Sequence, residues 1–480
     1  MAVTPFDPSH TPTPGPGTSV LVVGLGTSGY WSARHTTRLG ARVTVTEARP
    51  DAELDRDQLA ELRGLGVKLE TGGHREETFL HTDVIVVSPG VPLDMPLLAM
   101  ARNRRIPVMG ELELASRFIH EPMIAVTGTN GKSTVTALMG HILETAGHTV
   151  FVGGNIGTPL MAYAARGGAD YLVVEVSSFQ LDTIERFHPM VSIILNISPD
   201  HLDRYPDYGA YIASKLKIFQ NQGAGDYLII NDQDPVLKAL RPSSGLHTLR
   251  YGLRPKKGRD AFVRGRTIAS GLKERPLERF SIQGFVLPGS HNLENLLGAI
   301  LAAQALGVEH DTIQKSFATF TGLPHRLEYA GTLNGVSFYN DSKATNVDAA
   351  AKAIQSFEGS LILIAGGRHK GADYAPLITA ASGRVKGVVL LGEATERLAR
   401  SLGQQIPFQV ARGMKEAVFK AFSLATRGDV VLLAPACASF DMFSDYTHRG
   451  RVFKESVDRL MASSRTSGGD GESQFGVING

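Results

Sequence analysis

One short segment restricts the possible folds of this chain more than any other. The run Met123–Thr127 is almost entirely apolar, as expected of a buried strand, and the letters GTNGKST follow it directly. Apolar residues then recur at helical spacing over residues 135–146. A strand, a glycine-rich loop and a helix in this order are typical of a phosphate-binding loop, because backbone N–H groups and the helix N-terminus together attract an anion.

The side chains of this loop support the same interpretation. Lys132 can neutralise phosphate oxygens, and the hydroxyl of Ser133 or Thr134 can bind Mg²⁺. The strict phosphate-loop pattern has a glycine where this chain has Val126, so the alternative is a glycine-rich turn that carries an exposed lysine. We predict the first of these, a site for the phosphates of a nucleotide.

The alternation of strands and helices begins afresh three times along the chain. Runs of the kind found in parallel sheets occupy residues 19–23, 41–46 and 83–87, then 123–127, 171–176, 192–197 and 227–230, then 336–339, 361–365, 388–391 and 430–433. The last helix is predicted over residues 443–461, whereas residues 241–285 have no clear pattern. We therefore predict an α/β protein of three domains, each with a mostly parallel sheet.

Composition sets the limits of these domains. Residues 1–17 are rich in Pro, Thr and Gly and residues 463–480 in Ser and Gly, so both ends are predicted to be disordered tails outside the fold. Between them, the predicted domains are residues 18–118, 119–322 and 323–462. The length of 480 residues agrees with this division, since about three ordinary domains fit into it.

Charge, cysteine content and hydropathy exclude several classes of protein. The 49 basic and 47 acidic side chains leave a net charge of +2, which provides no basic footprint for nucleic acid. The single cysteine, Cys437, cannot form an internal disulfide, and no apolar stretch reaches the roughly 20 residues of a membrane span. The first residues lack the features of a signal peptide, so a cytoplasmic protein is the expectation.

Polar residues follow several predicted strands of the second domain. Asn155 comes after one apolar run, Glu175 stands near the end of the next, and Asp200, His201 and Asp203 follow another. The carboxyl ends of parallel strands lie at one edge of a sheet, where ligands bind. Carboxylate, amide and imidazole groups at this edge predict a Mg²⁺ site beside the phosphate loop.

The first domain begins with a glycine pattern of its own. Gly24, Gly26 and Gly29 follow a strand and Glu47 ends the next one, as in dinucleotide-binding domains. Taken alone, the pattern favours NAD. Physically it requires only that the backbone approach a diphosphate at a helix N-terminus, so a UDP group satisfies it equally well.

The remaining part of the chain has polar groups at helix starts and strand ends. Residues 289–295 open a predicted helix in which Asn292 serves either as a cap or as a contact to adenine. Basic and hydroxyl side chains also concentrate in residues 324–328, 340–346, 366–370 and 436–439. Such a set can neutralise a transferring phosphoryl group and bind an anionic second substrate.

Together these motifs resemble the muramyl ligases, and among them the enzymes that add D-glutamate, across nearly all of residues 19–462. Nine blocks occur in the order that this family shows, namely GTNGKST, GGNIG, EVSSFQL, PDHLDRY, HNLEN, LPHRLE, NDSKATN, GGRHKGADY and PACASFD. The resemblance implies a Rossmann-like N-terminal domain for a UDP-sugar, a P-loop-type central ATPase domain and a Rossmann-like C-terminal domain that brings in the amino acid.

The resemblance also implies roles for individual residues. The residues implied to bind ATP are Gly128, Thr129, Asn130, Gly131, Lys132, Ser133, Thr134, Asn292, Asn295, Arg326, Asp341 and Lys343. Those implied in catalysis are Lys132, Glu175, His201 and Lys215, with Lys215 carbamylated. Two Mg²⁺ ions are implied, with ligands among Ser133, Glu175, His201 and Lys215.

The two other substrates have their own implied residues. Those for the UDP-sugar are Gly26, Thr27, Arg49, Ser88, Gly90 and Asn155, and those for D-glutamate are Lys343, Thr345, Lys370, Ser439 and Tyr446. In the implied reaction, the L-alanyl carboxylate of UDP-N-acetylmuramoyl-L-alanine attacks the γ-phosphate of ATP. The amine of D-glutamate then displaces phosphate from the acyl phosphate, as a cytoplasmic step of peptidoglycan synthesis. A monomer is expected.

Three other functions remain open on the sequence. A sister ligase would add L-alanine, a diamino acid, a dipeptide or, in folate metabolism, glutamate, although the spelling of LPHRLE and NDSKATN favours D-glutamate. An oxidoreductase would bind NAD at residues 24–29. A noncatalytic switch would bind ATP without turnover that depends on a second substrate.

Overall fold

The computed structural model describes residues 11, 13–200, 204–242, 245–272, 276–369, 371 and 373–466. The described residues of Met1–Phe285 and Leu293–Phe320 form one compact unit, and those of Val286–Asn292 and Thr321–Gly480 form a second. Two sheets lie in the first unit and one in the second. The predicted α/β architecture with three domains is confirmed, while the exact domain boundaries stay predictions.

The N-terminal sheet is parallel throughout. Its strands are β1 (Ser19–Val23), β2 (Arg42–Glu47), β3 (Lys68–Thr71), β4 (Val84–Val87) and β5 (Val108–Gly110). Its helices are α1 (Thr27–Arg38), α2 (Arg56–Gly64), α3 (Glu76–Leu80), α4 (Pro96–Asn103) and α5 (Glu111–Ser116). The strand order β3-β2-β1-β4-β5 places β1 at the centre, so its carboxyl end leads into α1 at the point where ligands bind in Rossmann-like domains.

The central sheet has nine strands in the described residues. They are β6 (Met123–Thr127), β7 (Val150–Gly154), β8 (Tyr171–Glu175), β9 (Val191–Ile194), β10 (Tyr227–Asn231), β11 (His247–Gly252), β12 (Ala261–Arg264), β13 (Thr267–Ser270) and β14 (Glu278–Ser281). The helices of this part are α6 (Lys132–Thr145), α7 (Leu160–Ala164), α8 (Ser178–Leu181), α9 (Tyr208–Leu216), α10 (Pro235–Ala239), α11 (Ser290–Ala305) and α12 (His310–Thr319). The strand order is β14-β13-β12-β11-β10-β9-β6-β8-β7, so β6 lies between β9 and β8.

The sheet of the second unit is parallel except at one edge. Its strands are β15 (Glu328–Leu333), β16 (Val336–Asn340), β17 (Leu361–Gly366), β18 (Val385–Leu391), β19 (Phe408–Val410) and β20 (Val430–Leu433). Its helices are α13 (Val347–Gln355), α14 (Ala375–Ala381), α15 (Thr395–Leu402), α16 (Met414–Leu424) and α17 (Tyr446–Thr466). In the order β15-β16-β20-β17-β18-β19 only β15 runs antiparallel to its neighbour.

Residues 241–285, which have no clear sequence pattern, contain the four strands β11–β14. The strands β12, β13 and β14 have four residues each and pair antiparallel at the edge of the central sheet. Runs this short show too few alternations of apolar and polar residues to be recognised. The strands β6, β8, β9 and β10 pair parallel, as predicted from their apolar runs, and β11 also pairs parallel with β10 although no run predicted it.

Both chain ends differ from the expectation that they lie outside the fold. Thr11 is 2% exposed, and its hydroxyl donates to Glu185 Oε1 at 2.9 Å. At the other end α17 begins at Tyr446, later than expected, and continues to Thr466. Low apolar content predicts little burial, but it cannot exclude hydrogen bonds to residues that are distant in the chain.

Within the described residues, we find no helix with the length and hydropathy of a membrane span.

A buried ion-pair network joins the N-terminal and central parts of the first unit. Glu113 on α5 pairs with Arg117 at 2.8 Å, and Arg117 also pairs with Glu185 at 2.7 Å. The second oxygen of Glu113 accepts hydrogen bonds from the backbone N–H groups of Glu185, Arg186 and Phe187 at 2.8 to 3.0 Å. Because every charge here has partners, burial of the carboxylate is compensated. The network holds α5 against the segment that follows β8.

Candidate active site

The loop between β6 and α6 has the geometry of an anion site. Gly128 and Gly131 have φ values of 147° and 90°, which turn the backbone between the strand and the helix. Lys132 begins α6, and its ammonium donates to the carbonyl oxygens of Gly128 and Thr129, each at 3.0 Å. Ser133 and Thr134 are buried in the first turn of the same helix. The predicted phosphate-loop context of strand, loop and helix is therefore present.

Asn196, which sequence reasoning did not select, holds this loop from the neighbouring strand end. Its side-chain oxygen accepts from the N–H of Asn130 at 2.8 Å, and its amide donates to the Asn130 carbonyl at 3.0 Å. Its own carbonyl accepts from the N–H of Thr129 at 2.9 Å. Three bonds from one residue fix the loop before any ligand arrives. No sequence pattern marked this role, because Asn196 falls within the run predicted as a strand over residues 192–197, whereas β9 ends at Ile194.

Lys215 lies beneath the same loop. It is 2% exposed, and its ammonium donates to the carbonyl oxygen of Gly128 at 3.0 Å. Burial, together with the nearby charge of Lys132, lowers the pKa of Lys215 to about 7. A substantial fraction of this amine is therefore uncharged near neutral pH.

Glu175 is brought to the same edge of the sheet as the loop. It ends β8, which pairs directly with β6, and it is 2% exposed. Its Oε1 accepts from the side-chain amide of Asn155 at 2.8 Å, whereas its buried Oε2 has no hydrogen-bond partner among the described residues. A buried carboxylate oxygen without a donor fits a site for a divalent cation. His201 lies outside the described residues.

A cavity of about 540 Å³ occupies the carboxyl ends of the N-terminal strands. Its lining includes five of the six residues implied for the UDP-sugar, Gly26, Thr27, Ser88, Gly90 and Asn155. Ser88 donates to the carbonyl oxygen of Gly24 at 2.8 Å and so closes the turn before α1. His74 also lines this cavity, and its Nδ1 lies 2.8 Å from the hydroxyl of Thr46. Sequence reasoning did not select His74, because it belongs to a loop without a motif.

Glu47 separates the two interpretations of the first glycine pattern. Its carboxylate accepts from the N–H of Leu25 at 2.7 Å and from the N–H and guanidinium of Arg49 at 3.0 and 3.1 Å. Burial alone would raise the pKa of Glu47, but the hydrogen bonds from Arg49 and Leu25 lower it to about 2. In an NAD site the equivalent acid binds a ribose hydroxyl. In this protein the Glu47 carboxylate already accepts hydrogen bonds from Leu25 and Arg49. Because these bonds compete with a ribose hydroxyl, they disfavour NAD.

In the second unit, the loop before β15 is backbone-strained around Arg326. His325 and Leu327 have φ values of 62° and 44°, a region that non-glycine residues adopt at some cost, commonly at functional sites. The N–H of Leu327 donates to Asp341 at 3.3 Å, and His325 accepts at its carbonyl from the N–H of Lys343 at 3.1 Å. The loop therefore places Arg326 next to the turn after β16.

Asp341 carries a carboxyl with an unusual environment. It is 7% exposed, and burial raises its pKa to about 6 although the charges of Arg326 and Lys343 oppose this effect. A carboxyl group that titrates this close to neutrality is typical of functional sites. Arg326, Asp341 and Lys343 are close enough to interact electrostatically, and their shared role at a nucleotide stays a prediction.

Four of the five residues implied for D-glutamate are described: Lys343 and Thr345 follow β16, Ser439 follows β20, and Tyr446 begins α17. The Lys343 ammonium lies 5.6 Å from the ring centre of Tyr446. Ser439 is buried after β20, and the N–H of Thr345 donates to the carbonyl of Lys343 at 2.8 Å. Lys370 lies outside the described residues.

The two asparagines at the start of α11 have different surroundings. Asn292, in the second unit, donates from its side chain to the carbonyl of Pro288 at 2.7 Å, which favours a local structural bond. Asn295, in the first unit, lies against the phosphate loop, since a Cβ added at Gly131 would meet its Oδ1 at 2.5 Å. Asn295 therefore lies beside the loop between β6 and α6, which belongs to the same unit.

Comparison with known proteins places this geometry in a family. Residues 18–110 match the Mur ligase MurD-like N-terminal domain, residues 126–303 the Mur ligase middle domain, and residues 325–437 the Mur ligase glutamate ligase domain. A protein of Desulfosudis oleivorans named UDP-N-acetylmuramoylalanine--D-glutamate ligase is 45% identical over 94% of this chain and 98% of its own length. One of the same name from Koribacter versatilis is 44% identical over 92% of this chain and 98% of its own. The chain belongs to the Mur ligase family.

Solved structures agree with this Mur ligase assignment at the level of the fold. A UDP-N-acetylmuramate-alanine ligase from Thermotoga maritima has a TM-score of 0.56 at 20% identity, covering 93% of this chain and all of its own. A pseudomurein peptide ligase type C from Methanothermus fervidus has the same score and identity over 92% of this chain. Both share the three-domain architecture of this Mur ligase.

Proposed function

We propose that this Mur ligase joins D-glutamate to the L-alanyl carboxylate of UDP-N-acetylmuramoyl-L-alanine, with conversion of ATP to ADP and phosphate. The observation that carries the proposal is the identity of 44 to 45% with relatives of that name over more than nine-tenths of the chain. The phosphate loop, the buried Glu175 and the cavity of the N-terminal sheet supply matching sites.

The loop residues 128–134 would hold the phosphates of ATP. Backbone N–H groups at the start of α6 point toward an anion, and Lys132 exchanges its bonds with the Gly128 and Thr129 carbonyls for bonds to phosphate oxygens. An oxygen of the alanyl carboxylate attacks the γ-phosphorus, and the bond from phosphorus to the β-γ bridging oxygen breaks. The chain contributes by positioning and by neutralising negative charge.

Mg²⁺ would neutralise phosphate charge at this site and polarise the γ-phosphate. Glu175 and Ser133 fit one ion, because the Glu175 oxygen that lacks a donor is buried beside the loop. For a second ion we propose His201 and a carbamylated Lys215.

Carbamylation of Lys215 agrees with its environment. An uncharged amine attacks carbon dioxide, a nitrogen-carbon bond forms, and one proton is released to solvent. The product carries a carboxylate-like group that can bind a metal. The low pKa of about 7, caused by burial and by Lys132, supplies the uncharged amine at neutral pH.

In the second half-reaction, D-glutamate would bind in the second unit at Lys343, Thr345, Lys370, Ser439 and Tyr446. The cations among these residues suit its two carboxylates. Its amine attacks the acyl carbon, phosphate leaves, and the amide forms with loss of a proton. We further propose that the enzyme acts as a monomer in the cytoplasm.

The test is mass-resolved product formation from ATP, UDP-N-acetylmuramoyl-L-alanine and D-glutamate. Phosphate release with D-glutamate, but not with L-alanine, diaminopimelate or D-alanyl-D-alanine, is expected and separates this function from the sister ligases. Lys132→Ala, Glu175→Ala and His201→Ala are expected to abolish product while circular dichroism stays normal. Normal turnover by one of them removes that residue from the mechanism.

The same assay separates the remaining alternatives. ATP binding without amino-acid-dependent ADP release would indicate a noncatalytic switch. A change of absorbance at the nicotinamide band would indicate an oxidoreductase. Either result would overturn the proposed ligation.

A further inference from the structure

Arg449, on α17, is one of the largest fully buried side chains of the described residues. It is 1% exposed. No motif of the sequence selected it, and the reaction proposed above does not use it. Burial lowers the pKa of its guanidinium to about 10, so its charge is retained at neutral pH despite the cost of removing it from water.

The guanidinium bonds to two loops that leave the sheet of the second unit. Its Nε donates to Ser342 Oγ at 2.9 Å and its Nη2 to the Ser342 carbonyl at 2.7 Å. Its Nη1 donates to the carbonyl of Cys437 at 3.1 Å. The Ser342 hydroxyl in turn donates to the Tyr446 carbonyl at 2.8 Å. One planar group therefore links the exits of β16 and β20 with the first turn of α17.

The exit of β17 leaves no room for a side chain beside the same group. A Cβ added at Gly367 would lie 3.2 Å from Arg449 Nη1. The strands β16, β20 and β17 are consecutive neighbours in the sheet, so the guanidinium sits under three adjacent loops. The N–H of Arg368 donates to the Ala438 carbonyl at 2.8 Å, which ties the exits of β17 and β20 directly.

These contacts are adjacent in sequence to the residues proposed for the amino acid. Ser342 precedes Lys343, Cys437 stands two residues before Ser439, and Tyr446 begins the helix that carries Arg449. All three hydrogen-bond acceptors of Arg449 are uncharged, and the nearby charge of Asp441 offsets only part of the cost of burying the guanidinium. A buried guanidinium stabilises a fold less than apolar packing would. Its rigid planar set of donors can, however, fix the relative positions of Ser342 and Cys437.

We infer that Arg449 is a positioning residue of the amino-acid site, which sets the spacing between Lys343, Ser439 and Tyr446 without touching the substrate. This inference rests on the proposed function, because it assigns those three residues to D-glutamate. Lysine at position 449 keeps the charge but lacks the planar fork, and it cannot reproduce the set of bonds to Ser342 and Cys437.

The test compares Arg449→Lys with Arg451→Lys. Arg451 lies on the same helix, 68% exposed, and approaches Glu455 only at 3.9 Å, so it is a matched control. Initial rates are measured with D-glutamate varied at saturating ATP and UDP-sugar, and then with each of the other substrates varied. For Arg449→Lys we expect KM for D-glutamate to rise about tenfold to hundredfold, the effect of about one charge-assisted hydrogen bond. KM for the UDP-sugar is expected to remain that of the wild type, and KM for ATP is expected to rise less than KM for D-glutamate, because Lys343 is assigned to both sites.

Ser342→Ala provides a second readout if Arg449→Lys does not fold. It removes the hydroxyl between Arg449 and Tyr446, and we expect a smaller rise of KM for D-glutamate with KM for the UDP-sugar unchanged. An unchanged KM for D-glutamate in a folded Arg449→Lys, or an equal rise of all three KM values, would overturn the inference. If wild-type protein forms no product with D-glutamate, the proposed function itself fails, which is a different result.

Discussion

The ammonium of Lys215 lies 3.0 Å from the carbonyl oxygen of Gly128, which also accepts a hydrogen bond from Lys132 at 3.0 Å. Two cations thus share one backbone acceptor in the phosphate loop. Since Lys215 is buried, its charge is unfavourable in the ligand-free protein, and its lowered pKa expresses that cost. Anionic ligands that enter the site would offset this cost further, beyond the part that Asp200, Glu175 and Asp182 already offset.

Lys215→Met is therefore expected to abolish ligation and yet to stabilise the ligand-free fold. The unfolded chain keeps the Lys215 proton up to its ordinary pKa of 10.5, whereas the folded chain releases it near 7. Wild-type stability thus rises with pH between these values, and the penalty is complete below pH 7. The melting temperature of Lys215→Met should exceed that of wild type most below pH 7, and the difference should shrink as pH rises toward 10.5.

Differential scanning fluorimetry in buffer freed of carbon dioxide measures this difference. Lys217→Met is the control, because Lys217 is 38% exposed and pairs with Asp182 at the surface. A difference for Lys215→Met that does not depend on pH would contradict the explanation.

Gly131→Ala is expected to weaken nucleotide binding by about tenfold or more. A side chain at φ 90° costs about 1–2 kcal/mol, and its Cβ would meet Asn295 Oδ1 at 2.5 Å. Gly64→Ala, at the end of α2 with open space around it, should leave binding unchanged. Isothermal titration with ADP and Mg²⁺ compares the two, and equal affinities would argue against the phosphate loop.

Arg49→Met is expected to raise KM for the UDP-sugar about tenfold, as the loss of one charge-assisted bond to substrate would. Its guanidinium is held by Glu47 and remains 48% exposed at the N-terminal sheet. KM values for ATP and D-glutamate should not change. Steady-state kinetics with each substrate varied in turn decides this, and a wild-type KM for the UDP-sugar would remove Arg49 from that site.

Glu111→Gln is expected to stabilise the protein increasingly as pH rises. Glu111 is 1% exposed, and burial raises its pKa from 4.5 to about 7 although Met161 donates its N–H to Oε1 at 2.6 Å. The folded wild type therefore loses stability as pH rises from 4.5 through 7. Glutamine cannot ionise, so its advantage should grow over this window to between about 1 and 3 kcal/mol. Urea unfolding at acidic and mildly alkaline pH measures the free energy of unfolding of both proteins. A stabilisation by Glu111→Gln that appears only at acidic pH would contradict this explanation.

Strands and the loop after β6 could be predicted from the sequence more readily than the contacts between residues distant in the chain. Buried strands such as β6, β8 and β20 are continuous apolar runs, and the loop after β6 is a short motif of consecutive residues. Both kinds of element can therefore be predicted from the local sequence. The roles of Asn196 and Arg449 were not visible, because each depends on bonds to residues brought near only by folding. Thr11, in a segment of low apolar content, is buried for the same reason.

By itself the sequence determined the three-domain α/β class and the family and predicted a phosphate loop, because these reside in local periodicity and in the order of nine short blocks. The tertiary structure decided which groups are desolvated and what they bond to. It made Lys215 a weak base, occupied Glu47 with Arg49, and left one oxygen of Glu175 without a donor. Burial and the distances between groups on different strands set these properties, and neither can be read from the residues adjacent in sequence.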